Sequence, residues 1–235
     1  MNTGTAKEEN INKINIEIFC LHWDNIDPRM MTAHKEVMEH FNIPVAYHAI
    51  NMDHGQWMTE VVKLSTADVI GFIEPDCIPL SREKLSECFE YVIANNTFCG
   101  IAQASNHIEP KNHIYAAPGF FAITKTAYHS LGSPSFMCTT RGDTGEEVSW
   151  TAESLGYNYR VILPTHYEKP SKEGIWNLGP LGYYGIGTVF NDTVYHLYQG
   201  RYNDNVELFV KRCKEVIAGT FSTAGFKQCM TLTQE

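Results

Sequence analysis

The chain reads as an α/β protein whose mixed, mostly parallel sheet is covered by helices on both faces. Three observations carry that expectation. Through the first half, short apolar runs of strand length alternate with amphipathic segments of helix length, the order that builds a sheet wrapped by crossover helices. The run Val69-Ile70-Gly71-Phe72-Ile73 is apolar throughout rather than alternating, as a strand buried on both faces must be. Finally, 235 residues, 43% of them apolar, suffice for one substantial core. The organisation expected is a frayed tail over 1–12, one domain over 13–219 and a C-terminal tail over 220–235, with no repeat or low-complexity linker between.

Residues 14–20 alternate apolar and polar as a first strand. Asp27 and Pro28 then start a helix as N-cap and first-turn proline, with Met31, His34, Met38 and Phe41 on one face. His34 on that face is read as a packing residue. Residues 44–50 form the second strand and 57–64 a helix with Trp57, Val61 and Leu64 in step, followed by the strand at 69–73. Ser81 caps the next helix, whose stripe of Leu85, Cys88, Phe89, Val92 and Ile93 ends at Asn95-Asn96. Strands at 98–103 and 119–124 follow, then a short helix at 125–131 stopped by Gly132. Val148, Thr151, Ala152 and Leu155 predict a helix over 146–155, ended by Gly156 before a strand at 159–163. From 164 to 201, glycine recurs at 174, 179, 182, 185, 187 and 200 among aromatic residues, which predicts a long lid or binding loop. Asp204 and Glu207 form a capping box for the last helix, which carries Val206, Phe209, Val210, Cys213 and Ile217 and ends at Gly219.

A formal charge of −9 argues against a broad electrostatic surface for nucleic acid or anionic membrane. Seven cysteines, scattered without a Cys-x-x-Cys, indicate neither a zinc cluster nor a disulfide framework, and fit reduced thiols in a cytoplasm. The first 15 residues hold no apolar signal core, and no run approaches the roughly 18 apolar residues needed to cross a bilayer. A cytoplasmic protein is expected.

The most informative stretch is Glu74-Pro75-Asp76, directly after the buried strand. Ligands of open α/β sheets bind beyond the carboxyl ends of the strands, and two hard oxygen ligands there suit a divalent cation holding a phosphate. The pattern resembles the acidic Asp-x-Asp metal motif of nucleotide-sugar-dependent glycosyltransferases of the GT-A type, with glutamate at its first position. A second acidic group, Asp143 with Glu146 and Glu147, opens the helix at 146–155. Negative charge there is explained by the helix macrodipole alone. With Leu155-Gly156-Tyr157 and Arg160-Val161 after it, the segment is also similar to the acidic pair, helix and Gly-Tyr that GT-A enzymes place after the acceptor region. His196, flanked by apolar residues, reads locally as a packing residue; the resemblance makes it the C-terminal histidine that completes the metal shell.

The resemblance spans most of 14–200 in order and spacing. It implies a GT-A-like, Rossmann-like fold and transfer of a sugar from a nucleoside diphosphate sugar, UDP-sugar by family habit, to an acceptor hydroxyl. It implies Mn²⁺ or Mg²⁺ at the diphosphate, held by Asp76 and His196, with Asp143, Glu146 or Glu147 activating the acceptor. On the donor side it implies His22, Trp23, Asp24, Asp53 and Glu74, the close-approach residue Gly119, and Arg201, with Lys169 and Lys172, at the diphosphate. The acceptor is either a saccharide or a hydroxymethylated base in phage DNA. A DNA acceptor needs a local basic groove, for which Lys111, Lys125, Arg141, Lys169 and Lys172 are the candidates. Phosphate-loop, dinucleotide, zinc-protease and nucleophile-elbow signatures are absent. A non-catalytic nucleotide- or carbohydrate-binding module and a metal-dependent phosphoesterase are the alternatives.

Overall fold

A computed structural model describes residues 14–105, 113–171, 174–200 and 202–229. Its central sheet has six strands: β1 (Ile16–His22), β2 (Ala46–Ala49), β3 (Val69–Ile73), β5 (Phe98–Ala104), β6 (Ile114–Thr124) and β7 (Arg160–Ile162), in the order β2-β1-β3-β6-β5-β7. The pairs β1–β2, β1–β3 and β5–β7 are parallel, and β6 alone runs against its neighbours β3 and β5. The sheet is therefore mixed and mostly parallel, as the sequence predicts. Every residue of β3 is buried, which explains its unbroken apolar run. β6 begins five residues before the expected strand at 119–124, because a register shift opposite Gly100/Ile101 lets it run through Pro118. A bulge is where a strand tolerates proline.

Helix α3 (Arg82–Asn95) covers one face of this sheet through Leu85, Cys88, Phe89 and Val92. Helices α2 (His54–Leu64), α4 (Lys125–Ser130) and α5 (Glu146–Ser154) cover the other, through Trp57, Met58, Val62, Ala127, Tyr128, Val148 and Ala152. Ser81 caps α3 and Asp27 caps the helix that follows β1, α1 (Pro28–His40), both as expected.

The glycine-rich segment departs from expectation. Instead of one long loop it builds most of a second, antiparallel sheet in the order β13-β8-β11-β12-β4, from β8 (Pro164–Tyr167), β11 (Gly187–Phe190) and β12 (Val194–Leu197) with β4 (Cys77–Pro79) and β13 (Lys227–Gln228), and it adds a two-residue hairpin, β9 (Trp176–Asn177) with β10 (Tyr183–Tyr184). The strands are short, and β11 and β12 are buried along their whole length. They therefore show neither period 2 nor period 3.6. Helix α6 (Asn203–Ile217) packs with α1 against this sheet through Val206, Phe209, Cys213 and Val216. Its start is not the expected capping box: Tyr202 stands at the cap position and its side chain makes no capping bond, Asp204 pairs with Lys169 at 2.7 Å and Glu207 with Arg29. Among the described residues, no helix is long and apolar enough to cross a membrane.

Candidate functional site

Glu74-Pro75-Asp76 is the link along which the chain passes from the first sheet, in β3, to the second, in β4. Backbone bonds clamp it from both sides. The Glu74 N–H donates to the Gly119 carbonyl of β6 at 3.0 Å, and the Leu197 N–H of β12 donates to the Asp76 carbonyl at 2.8 Å. β12 pairs with β4 so that His196 faces Cys77. That register brings the late histidine to the early carboxylates: His196 Nε2 lies 3.2 Å from Glu74 Oε2 and 3.3 Å from Asp76 Oδ1.

His196 is 3% exposed, the two carboxylates 23% and 20%. A Cβ on Gly119 would stand 2.9 Å from two atoms of the imidazole, so only glycine lets this ring lie against β6. The Tyr198 ring covers another side at 4.1 Å between centroids. His196 Nδ1 is buried without a hydrogen-bond partner among the described residues. Burial alone would depress the imidazolium, but Asp76 and Glu74 outweigh it and push His196 up to about 9. Burial opposes ionisation of Glu74, yet His196 and His54 together hold it below the usual glutamate range. Asp76 goes the other way, raised by burial and by the neighbouring Glu74 against the pull of His196.

Glu74, Asp76 and His196 can each offer one ligand atom, all within 4.8 Å of one another. Two carboxylate oxygens and an imidazole nitrogen are a donor set for a divalent ion such as Mn²⁺ or Mg²⁺, with further positions left for phosphate oxygens or water. A cation there would replace the proton that His196 otherwise shares with the acids.

These carboxylates form part of the wall of a cleft of 830 Å³. It opens at the carboxyl ends of β1 and β3. From β1 the chain passes to β2 on one side and returns to β3 on the other, so the cleft sits at the topological switch point. His22, Trp23 and Asp24 line it from β1 and the turn that follows. Trp23 is 47% exposed and its indole N–H donates to the Met52 carbonyl at 2.9 Å, which holds a face of the ring available for stacking. Asp24 is oriented by Asn51 at 2.9 Å. Pro28, His54 and Asn203, the first residues of α1, α2 and α6, also line the cleft. Helix amino ends favour anions. No lysine or arginine occurs among the described lining residues, so a bound cation would be the principal positive charge facing an anionic ligand.

The remaining expected residues fall elsewhere. Asp53 caps α2, accepting from the Gln56 N–H at 2.9 Å, and does not line the cleft. Glu146 is fully buried, accepting from the Asp143 N–H at 2.8 Å and from the Ser105 hydroxyl, with His113 Nδ1 at 2.6 Å. Glu147 is held by the Arg141 guanidinium. Asp143 is partly buried in the turn before α5 and accepts from the Thr144 N–H at 2.8 Å and the Cys138 thiol at 3.4 Å. Arg201, Lys111 and Lys172 lie outside the described residues. Of the other basic candidates, Lys125 donates to the carbonyls of Val62 and Ser65, Arg141 pairs with Glu147, and Lys169 binds Asp204 and Asn205. Each has a partner within the chain.

Sequence reasoning missed His54. Its Nδ1 lies 3.3 Å from Glu74 Oε1, and the ring lines the cleft. Only its position directly after the helix cap Asp53 could have drawn notice, and nothing in the spacing links it to Glu74.

No family model matches the chain, and no curated protein matches it. Among solved structures, glucosyl-3-phosphoglycerate synthase from Mycobacterium tuberculosis, in complex with Mn²⁺, UDP and phosphoglyceric acid, aligns over 94% of this chain and 88% of its own, with 9% identity and a TM-score of 0.47. The glycosyltransferase GlyE of Streptococcus pneumoniae aligns over 63% of this chain but only 44% of its own, at 11% identity and a TM-score of 0.39. The 4-diphosphocytidyl-2C-methyl-D-erythritol synthase of Anaerococcus prevotii aligns over 72% and 92%, at 10% identity and a TM-score of 0.40. Superpositions of this quality assign no activity.

Proposed function

We propose that the protein is a metal-dependent glycosyltransferase that moves a sugar from a nucleoside diphosphate sugar, UDP-linked in the first instance, to an acceptor hydroxyl. The observation that carries this reading is the meeting of Glu74, Asp76 and His196, with the two carboxylates lining the cleft at the sheet's switch point. Trp23 offers a face for a nucleobase and Asp24 an acceptor for ribose hydroxyls, beside the acids that would hold Mn²⁺ or Mg²⁺. A cation held by Glu74, Asp76 and His196 would supply positive charge for the departing diphosphate. The first residues of α2 and α6, His54 and Asn203, would offer the same anion backbone N–H groups.

The acceptor-side candidates for activation of the hydroxyl are Asp143, Glu146 and Glu147, of which Glu146 is fully buried and Glu147 is bound by Arg141. A saccharide is the acceptor tested first; of the basic candidates for a DNA groove, Lys125 binds backbone carbonyls and Arg141 and Lys169 are paired with Glu147 and Asp204. The test is a thermal-shift screen of nucleoside diphosphates and their sugars, with and without Mn²⁺. A ligand that binds the native state raises its melting temperature, so UDP and UDP-sugars should raise it more with Mn²⁺ than without, and Asp76→Ala should abolish that difference. If no nucleoside diphosphate shifts the transition at saturation, the reading fails. Phosphate release from simple esters without a sugar donor would point to a phosphoesterase instead, and binding without turnover to a recognition module.

A further inference from the structure

Glu74 stands between two imidazoles. Its Oε2 is 3.2 Å from His196 and its Oε1 is 3.3 Å from His54. Asp76 has Oδ1 beside His196, while its Oδ2 lies near Gly200, which lines the cleft. Both acids line the cleft, yet they are not equivalent: each oxygen of Glu74 has an imidazole nitrogen beside it, and Asp76 has one only at Oδ1.

The placement of His54 is itself held from several directions. Asp53 caps the helix it starts. A Cβ on the next residue, Gly55, would stand 2.4 Å from the Phe136 carbonyl oxygen, so the first turn of α2 is pressed against that backbone and only glycine fits. The His54 ring leans on Trp57, with centroids 5.9 Å apart, and the Trp57 indole N–H is bound to His48 Nδ1 at 2.9 Å. A side chain fixed this firmly, outside the set of three that could ligate a cation yet touching one member of it, has the place of an outer partner that orients a metal ligand.

Building on the metal-dependent reading above, we propose that His54 is a positioning residue of the metal centre: it holds Glu74 Oε1 and fixes the rotamer of that carboxylate, so that Oε2 stays on the side of His196 and the cation. Removal of an outer-shell partner typically weakens metal binding by about 10- to 100-fold.

The experiment is calorimetric titration of the full chain with Mn²⁺ alone. His54→Phe keeps a ring against Trp57 and deletes the nitrogen; it should lose affinity by about tenfold or more, and His54→Gln, which restores a hydrogen-bonding group near Oε1, should recover part of it. In a Glu74→Gln background, which keeps one side-chain oxygen as a weaker ligand, the same His54→Phe change should cost much less than in the wild type, since the oxygen beside residue 54 no longer belongs to a charged carboxylate. A merely structural role would lower affinity equally in both backgrounds, and that result overturns the proposal. So does unchanged Mn²⁺ affinity in His54→Phe while the wild type binds. A wild type that binds no Mn²⁺ removes the metal reading itself and this proposal with it, an outcome distinct from the other two.

Discussion

Gly119 decides how closely the His196 ring can stand to the first sheet. A methyl there would meet Ile101 Cδ1 at 2.5 Å as well as the imidazole, and neither can retreat, because both residues are buried. Overpacking of this kind costs about 1–3 kcal/mol. Gly119→Ala should therefore lower the unfolding free energy by that amount, read from urea midpoints at constant slope, and also reduce the Mn²⁺-dependent rise in melting temperature, whereas a change remote from the site would do only the first. At this scale the sequence was informative for residues whose chemistry is unusual where they stand. Two carboxylates after an apolar strand attract attention by type alone, and the resemblance implies close approach at Gly119. His54 was not legible, because its partner Glu74 comes from another element and a histidine at a helix start has an ordinary explanation.

The start of α5 shows how one acidic segment divides its work. Glu146 is buried with Ser105, His113 and the Asp143 backbone as partners, and His113 in turn stacks on Trp150 at 3.6 Å and reaches Glu153 at 3.0 Å. Glu147 meets Arg141, whose side chain is 51% exposed. Removing one side of a buried, hydrogen-bonded charged group costs about 3–5 kcal/mol, while an exposed ion pair contributes about 1 kcal/mol or less. Glu146→Ala should thus destabilise the protein by about 3 kcal/mol or more and Glu147→Ala by less than about 1 kcal/mol, as read from denaturant midpoints at constant slope. Equal losses would contradict this division. The acidic run was visible in the sequence, but which member turns inward depends on β6 and on residue 113, far away in the chain. The glycine-rich segment was misread at this same scale. Its strands pair with β4 and β13 at long range, and runs this short carry no period of their own.

Two buried histidines set opposite limits on the stability of the whole molecule. His34 is fully buried, with Nδ1 3.0 Å from the Tyr47 hydroxyl, and burial pushes it down to about 3. A group whose folded value is depressed contributes stability present above the usual 6.5 and lost as pH falls toward 3. His196 is raised to about 9, so its contribution is present below 6.5 and lost as pH rises through 9. The metal-free protein should be most stable near pH 6.5 with respect to these two groups. Denaturant midpoints measured against pH in a chelator should show both limbs, with His34→Gln flattening the acid limb and His196→Gln the alkaline one. A profile unchanged by either substitution would sink the argument. Added Mn²⁺ should lift the alkaline limb, because it binds the neutral imidazole. By itself the sequence determined the α/β class, the alternation that builds the parallel part of the sheet, and the Glu74-Pro75-Asp76 turn as the place where chemistry belongs, since these follow from local apolar patterns and helix caps. Only the tertiary structure decided that this turn joins two sheets, that β12 delivers His196 to it, and that His54 stands behind Glu74. Each of those depends on strand register and packing between residues distant in sequence, and no local pattern encodes them.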